Sequence, residues 1–217
     1  PAARPSSPAP EMPDLSFERG FEGPVAGVDE AGRGPWAGPV VAAAVVLEAA
    51  RIPRRLLARI DDSKRLSRPV REEIYAALSA LAGGAVAIGV GASAAREIDR
   101  LNIHRATLLA MGRAVTALPI RPRVALIDGR FAPEIPCPAQ TIIDGDQLSL
   151  SIAAASIIAK VTRDRIMAKL ALRHPGFGWD HNAGYGTPEH REALNALGPT
   201  RHHRRSFAPV LNILSPA

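Results

Sequence analysis

The sequence contains a single cysteine, Cys137, in 217 residues. One thiol cannot build a disulfide framework or a cysteine-based zinc site, and a reducing cytoplasm is the expected setting. Cys137 lies between Pro136 and Pro138 and reads as an inert loop residue. No apolar run reaches the roughly 18 residues of a transmembrane helix, so no membrane span is expected. Pro1 to Pro13 lack a basic segment followed by an apolar core and do not read as a secretory signal. Their Pro, Ala and Ser content suggests a disordered tail over residues 1–20. There is no internal repeat. Residues 21–217 then fit one domain, with a helical or loop-rich region from about 175, and a monomer is expected.

What is present in excess is positive charge: 27 Lys and Arg against 21 Asp and Glu, a net +6 and a pI of about 10.4. Residues 160–205 hold nine Lys or Arg against four acids, so this segment carries most of the surplus. The acids lie mostly earlier. A basic C-terminal third beside an acidic centre suits an enzyme that grips phosphates and holds cations.

The apolar pattern alternates between strand and helix. Strands are expected at Gly23–Asp29, Val40–Leu47, Gly84–Gly91, Val124–Ile127 and Thr141–Ile143. Ser67 and Pro69 mark a helix start, with the helix running to about Leu81. Apolar residues from Ile98 to Leu118 repeat at helical spacing, with a break near Asn102. The longest helical pattern runs from Leu150 to about Arg173, and its small residues Ala153 to Ser156 would let it pack closely on a sheet. A short helix is expected near Pro188–Leu197, while residues 51–68 read as irregular. The fold class is α/β or α+β.

Three acidic positions share one context. Asp29-Glu30 follows an apolar strand, Asp128 follows VALI, and Asp146 follows QTII and a turn. Strand ends at one sheet edge are where α/β proteins place their sites. Four carboxylates gathered there repel unless protons or cations neutralise them, and oxygen-only ligands select hard ions, Mg²⁺ or Mn²⁺. Neighbouring strand residues face opposite ways, so Glu30 would need the Ala31-Gly32 break to turn it back to the site. A turn-stabilising Asp remains a plain alternative for Asp128, which precedes Gly129.

The string VAGVDEAGRGPWAGPVVAAAVVL at 25–47 resembles the opening motif of the ribonuclease HII family. DDSKRLS at 61–67, IDRLNIHRATLLAM at 98–111, LIDG at 126–129, SIAAASIIAKVTRDR at 151–165 and HHRRSF at 202–207 continue the resemblance in order. It implies a ribonuclease H-like mixed β-sheet flanked by helices, with a helical C-terminal extension. It also implies hydrolysis of the RNA strand of RNA–DNA hybrids and cutting on the 5′ side of ribonucleotides embedded in duplex DNA. The products would be a 3′-hydroxyl and a 5′-phosphate, formed by two-metal-ion catalysis with Mn²⁺ or Mg²⁺.

The catalytic, metal-holding acids implied are Asp29, Glu30, Asp128 and Asp146; the Gly-Arg-Gly element is Gly32, Arg33 and Gly34; the substrate-reading tyrosine is Tyr185. Glycines at 32 and 34 would let backbone amides approach a 2′-hydroxyl. Tyr185 could instead be a loop aromatic covering the core. Lys64, Arg204 and Arg205 are candidate phosphate contacts, weighed equally against a solvated basic face. Ser156, Lys160 and Asp164 share a face of the long helix, to serve substrate or packing. His202 and His203 are expected to be structural or supporting rather than ligands. Asp144 and Ala183 stand where many members of the family carry lysine. A hybrid-binding protein without catalysis would need a missing carboxylate, and none is missing. Ribonuclease HIII and junction nucleases remain related alternatives.

Overall fold

The computed structural model describes residues 12–214. Five strands form one sheet: β1 (Val25–Ala31), β2 (Val40–Leu47), β3 (Val86–Ser93), β4 (Val124–Asp128) and β5 (Ala139–Ile142), in the order β3-β2-β1-β4-β5. β1, β2 and β3 run antiparallel as a meander, whereas β4 and β5 add in parallel beside β1. The helices are α1 (Arg54–Leu57), α2 (Arg68–Ala80), α3 (Ala95–Leu101), α4 (Ile103–Thr116), α5 (Leu150–Arg173), α6 (Trp179–Asn182), α7 (Pro188–Leu197) and α8 (Ala208–Leu214). This is the expected mixed sheet with flanking helices and a helical C-terminal region. No helix among the described residues is long and apolar enough to cross a membrane.

Both sheet faces are covered, which is why β2 is apolar throughout rather than alternating. Ala43 and Val45 of β2 join a core under α1, α2 and α5, while Val40, Ala42, Ala44 and Val46 join one under α3 and α4. The helices sit almost backbone to backbone on the strands. A Cβ at Gly27 of β1 would lie 2.1 Å from the carbonyl carbon of Ser151, and one at Gly91 of β3 would lie 2.2 Å from the Ala110 carbonyl oxygen. The small residues of α5 allow this approach, as their run in the sequence suggests. A third core, with Met167, Phe177, Trp179, Leu194 and Val210, joins the end of α5 to the C-terminal helices.

The expected N-terminal tail is not wholly a tail. Residues 1–11 lie outside the described residues, but 12–20 pack on the body. Asp14 forms a bridge with Ser149, and a 3₁₀ turn spans Glu18–Gly20. The Glu18 carboxylate accepts hydrogen bonds from both the N–H and the hydroxyl of Ser151 at the start of α5. The Ser151 N–H would otherwise be unsatisfied at a helix N-terminus, which explains the attachment.

Candidate active site

β1 and β4 are parallel neighbours, so their C-terminal ends fall at one edge of the sheet. That edge brings Asp29, Glu30 and Asp128 together, with one carboxylate oxygen of each lying within 4.8 Å of the others. β1 stays regular through Asp29 and Glu30 to Ala31, so the break comes later than the sequence suggests. The Asp29 Oδ1 accepts the N–H of Glu30 at 2.6 Å. Glu30, near the strand end, needs no broken backbone to meet it.

Asp146 arrives from a different direction. It sits in the 3₁₀ turn Gly145–Gln147 that feeds α5, and that turn is tied to the site by the Gly145 N–H, which donates to Asp128 Oδ1 at 2.7 Å. Asp146 lies outside the 4.8 Å trio, and its Oδ2 is held at 2.9 Å by the Lys64 ammonium. Lys64 thus pairs with a site carboxylate while most of its side chain stays open to solvent.

The electrostatics follow from crowding. Burial, then the charges of Glu30, Asp128 and Asp146, push the Asp29 carboxyl well above the usual range. Burial, then Asp146, push Asp128 up to about 6, against the lowering effect of the Gly145 N–H. Two carboxyls that resist ionisation beside two more acids form a deficit of positive charge that a hard cation would fill.

Sequence reasoning missed Asp62. It is buried, accepts the Lys64 N–H at 2.9 Å and lies 4.0 Å from the Lys64 ammonium. Burial raises its pKa first, opposed by that N–H and raised again by Asp146. Nothing in the DDSK string distinguishes Asp62 from a turn-forming acid. Ser156 of α5 is buried and accepts the Ser63 N–H at 3.2 Å, so it supports this loop. Lys160 and Asp164 pair with each other at 2.8 Å.

The Gly32-Arg33-Gly34 loop lies beside the acids: Arg33 reaches Glu30 at 3.3 Å. Tyr185, 47% exposed, lies against Gly34, where an added Cβ would be 3.6 Å from its ring. The structure thus joins two elements more than 150 residues apart in the chain. Gly32 has φ +94°, and a Cβ there would fall 1.9 Å from Arg163 Nε. Its smallness answers first to an arginine packed beneath it.

Arg204 and Arg205 part company. Arg205 is exposed, but Arg204 is fully buried and gives its donors to the carbonyls of Gly32, Arg33 and Gly38. The reading of Arg204 as a phosphate contact is corrected: no face of it is open to a ligand. Arg163 is likewise buried and donates to the carbonyls of Ala37, Pro39 and Ala183. Two of the nine basic residues in 160–205 therefore face inward. His203 is buried too, bonded to His190 Nε2 at 3.0 Å and to Thr200, while His190 Nδ1 meets the Tyr185 carbonyl at 2.8 Å. The pair supports the Tyr185 turn. Asp144 and Ala183, the two departures from lysine, both hold positive φ, 54° and 50°.

A mixed sheet of this order with acids gathered at the ends of its central parallel strands defines a nuclease of the ribonuclease H-like class. The family model described as Ribonuclease HII matches residues 26–210. The ribonuclease HII of Rhodospirillum rubrum is 58% identical over 204 residues, 94% of this chain and 93% of that one. The Paramagnetospirillum magneticum ribonuclease HII is 57% identical over 199 residues, 92% and 97% of the two chains. The crystal structure of the ribonuclease H2 from Pyrococcus horikoshii OT3 superimposes with a TM-score of 0.69 at 28% identity, covering 88% of this chain and 97% of that one. The chain belongs to the ribonuclease HII family, and it is a ribonuclease H: an endonuclease acting on the RNA of RNA–DNA hybrids.

Proposed function

We propose that this enzyme also cuts duplex DNA on the 5′ side of an embedded ribonucleotide, leaving a 3′-hydroxyl and a 5′-phosphate. The carrying observation is the convergence of Asp29, Glu30 and Asp128 within 4.8 Å, next to Asp146. The donor set fits hard divalent cations, since every donor is a carboxylate oxygen and the cluster is short of positive charge. Asp29, Glu30, Asp128 and Asp146 would hold them, as two Mg²⁺ or Mn²⁺ ions. Bound there, the ions would neutralise the scissile phosphate and ease ionisation of the attacking water.

The chain's own groups do the rest. The N–H groups of Arg33 and Gly34 donate to no acceptor among the described residues, which suits them to a ribose 2′-hydroxyl. The exposed ring of Tyr185 beside Gly34 offers a stacking surface for the sugar of the next nucleotide. Arg33 and Arg205, both exposed, are placed for phosphates; Lys64 could meet one on leaving Asp146. Incubating the enzyme with a duplex carrying one ribonucleotide, with each ion, tests this reading. A cut 5′ to the ribonucleotide supports it, and an intact duplex alongside a digested long hybrid removes it.

A further inference from the structure

We infer that Arg204 is a positioning residue that aims the substrate-facing amides of Arg33 and Gly34. The inference rests on the reading above, in which this loop meets the ribose. Arg204 is 0% exposed and forms no salt bridge among the described residues. Its guanidinium gives Nη2 to the Gly32 carbonyl at 2.5 Å, Nη1 to the Arg33 carbonyl at 2.7 Å and Nε to the Gly38 carbonyl at 3.0 Å.

The first two bonds fix two adjacent peptide planes. A trans peptide is planar, and its C=O and N–H point in opposite directions. The chain has no cis peptide among the described residues. The Gly32 carbonyl shares a peptide plane with the Arg33 N–H, and the Arg33 carbonyl shares one with the Gly34 N–H. Arg204 therefore fixes both amides by grasping the far end of each plane. They point away from the guanidinium, and both lack an acceptor among the described residues. A cation on the carbonyl also polarises the peptide and makes its N–H a stronger donor.

Arg163 extends the brace. It holds the Ala37 and Pro39 carbonyls of the same loop and the Ala183 carbonyl of the turn before Tyr185. The Arg204 N–H completes the loop's attachment on the Trp36 carbonyl at 2.8 Å. Burying unpaired cations is costly, and an apolar filler would pack the space more cheaply. A fork that holds two adjacent carbonyls in set directions has a use that a filler lacks.

The test is the preference for a ribonucleotide. Binding is measured by fluorescence anisotropy on two duplexes of one sequence, one all-DNA and one with a single ribonucleotide, with Ca²⁺ as the ion. Arg204→Lys keeps the charge and loses the fork. The expected result is a preference reduced about tenfold or more, roughly 1.4 kcal/mol. Mere loss of stability lowers the competent fraction for both duplexes alike and leaves the preference unmoved. A Lys variant that melts lower yet keeps the wild-type preference overturns the inference. Equal binding of both duplexes by the wild-type enzyme instead refutes the reading of the loop itself. Should Arg204→Lys not fold, ¹⁵N relaxation on the wild-type protein decides. Order parameters for the Arg33 and Gly34 amides near the rigid value of about 0.85 are expected, and values below about 0.6 overturn the inference.

Discussion

Replacing Asp128 with asparagine should stabilise the metal-free protein while abolishing turnover. The Asp128 carboxyl titrates at about 6 in the fold, against an ordinary 3.8, because burial and then Asp146 oppose its charge. That rise corresponds to about 3 kcal/mol, at most, by which ionised Asp128 disfavours the fold. The sign matters. A carboxyl raised in the fold is neutral in both states below about pH 4 and has no effect there. Its destabilisation grows between about 4 and 6 and is complete above 6. Asparagine removes the charge, and its Oδ1 can still accept the Gly145 N–H. In a chain of this size each kcal/mol moves Tm by roughly 2–4 °C, so in EDTA at pH 7 the variant should melt several degrees above wild type. At pH 4 the gap should shrink to roughly 1–2 °C. Mg²⁺ or Mn²⁺ should raise Tm for the wild type and barely for the variant, since a neutral amide is a poor ligand for a hard cation. Thermal denaturation followed by circular dichroism across pH 4–8, with parallel hybrid-cleavage assays, measures all of this. A variant less stable than wild type in EDTA at pH 7, or a gap indifferent to pH, would refute the account of the cluster.

Other outcomes follow from the geometry. Gly27→Ala drives a Cβ to 2.1 Å from the Ser151 carbonyl carbon, so α5 must lift off β1; chemical denaturation should show a loss of about 3 kcal/mol or more, and a loss below about 1 would contradict the close crossing. Tyr185→Ala leaves the fold intact because the ring is 47% exposed. It should raise KM on a single-ribonucleotide duplex about tenfold, roughly 1.4 kcal/mol of lost sugar contact, and an unchanged KM would return Tyr185 to a loop-covering role. Arg33→Ala should weaken the preference for a ribonucleotide junction more than it lowers Tm; equal effects would deny it a substrate role.

Much of this fold was legible because apolar periodicity carries it. α5 begins and ends where its pattern does, and Asn102 divides α3 from α4 by holding φ 66° and capping the Arg105 N–H. β5 was harder: three of its four residues are exposed, so its apolar signal is weak, and it starts at Ala139 rather than Thr141. β3 begins two residues late because Gly83, at φ +80°, and Gly84 turn the chain. Of the site, Asp29, Glu30 and Asp128 were visible as strand ends and Asp146 as an acid after a turn, whereas Asp62 and the contacts of Arg163 and Arg204 were not. An arginine that satisfies itself on backbone carbonyls leaves no mark in sequence, since its partners are not side chains. A basic pair such as Arg204-Arg205 then reads as surface even when one member is inside.

The most direct test is to map the cut in a DNA duplex carrying one ribonucleotide, run with Mg²⁺, with Mn²⁺ and with EDTA. A single cut on the 5′ side of the ribonucleotide is expected in the presence of an ion, with 3′-hydroxyl and 5′-phosphate ends, and no cut in EDTA. Cutting that persists in EDTA, or no cutting with either ion, would contradict that expectation.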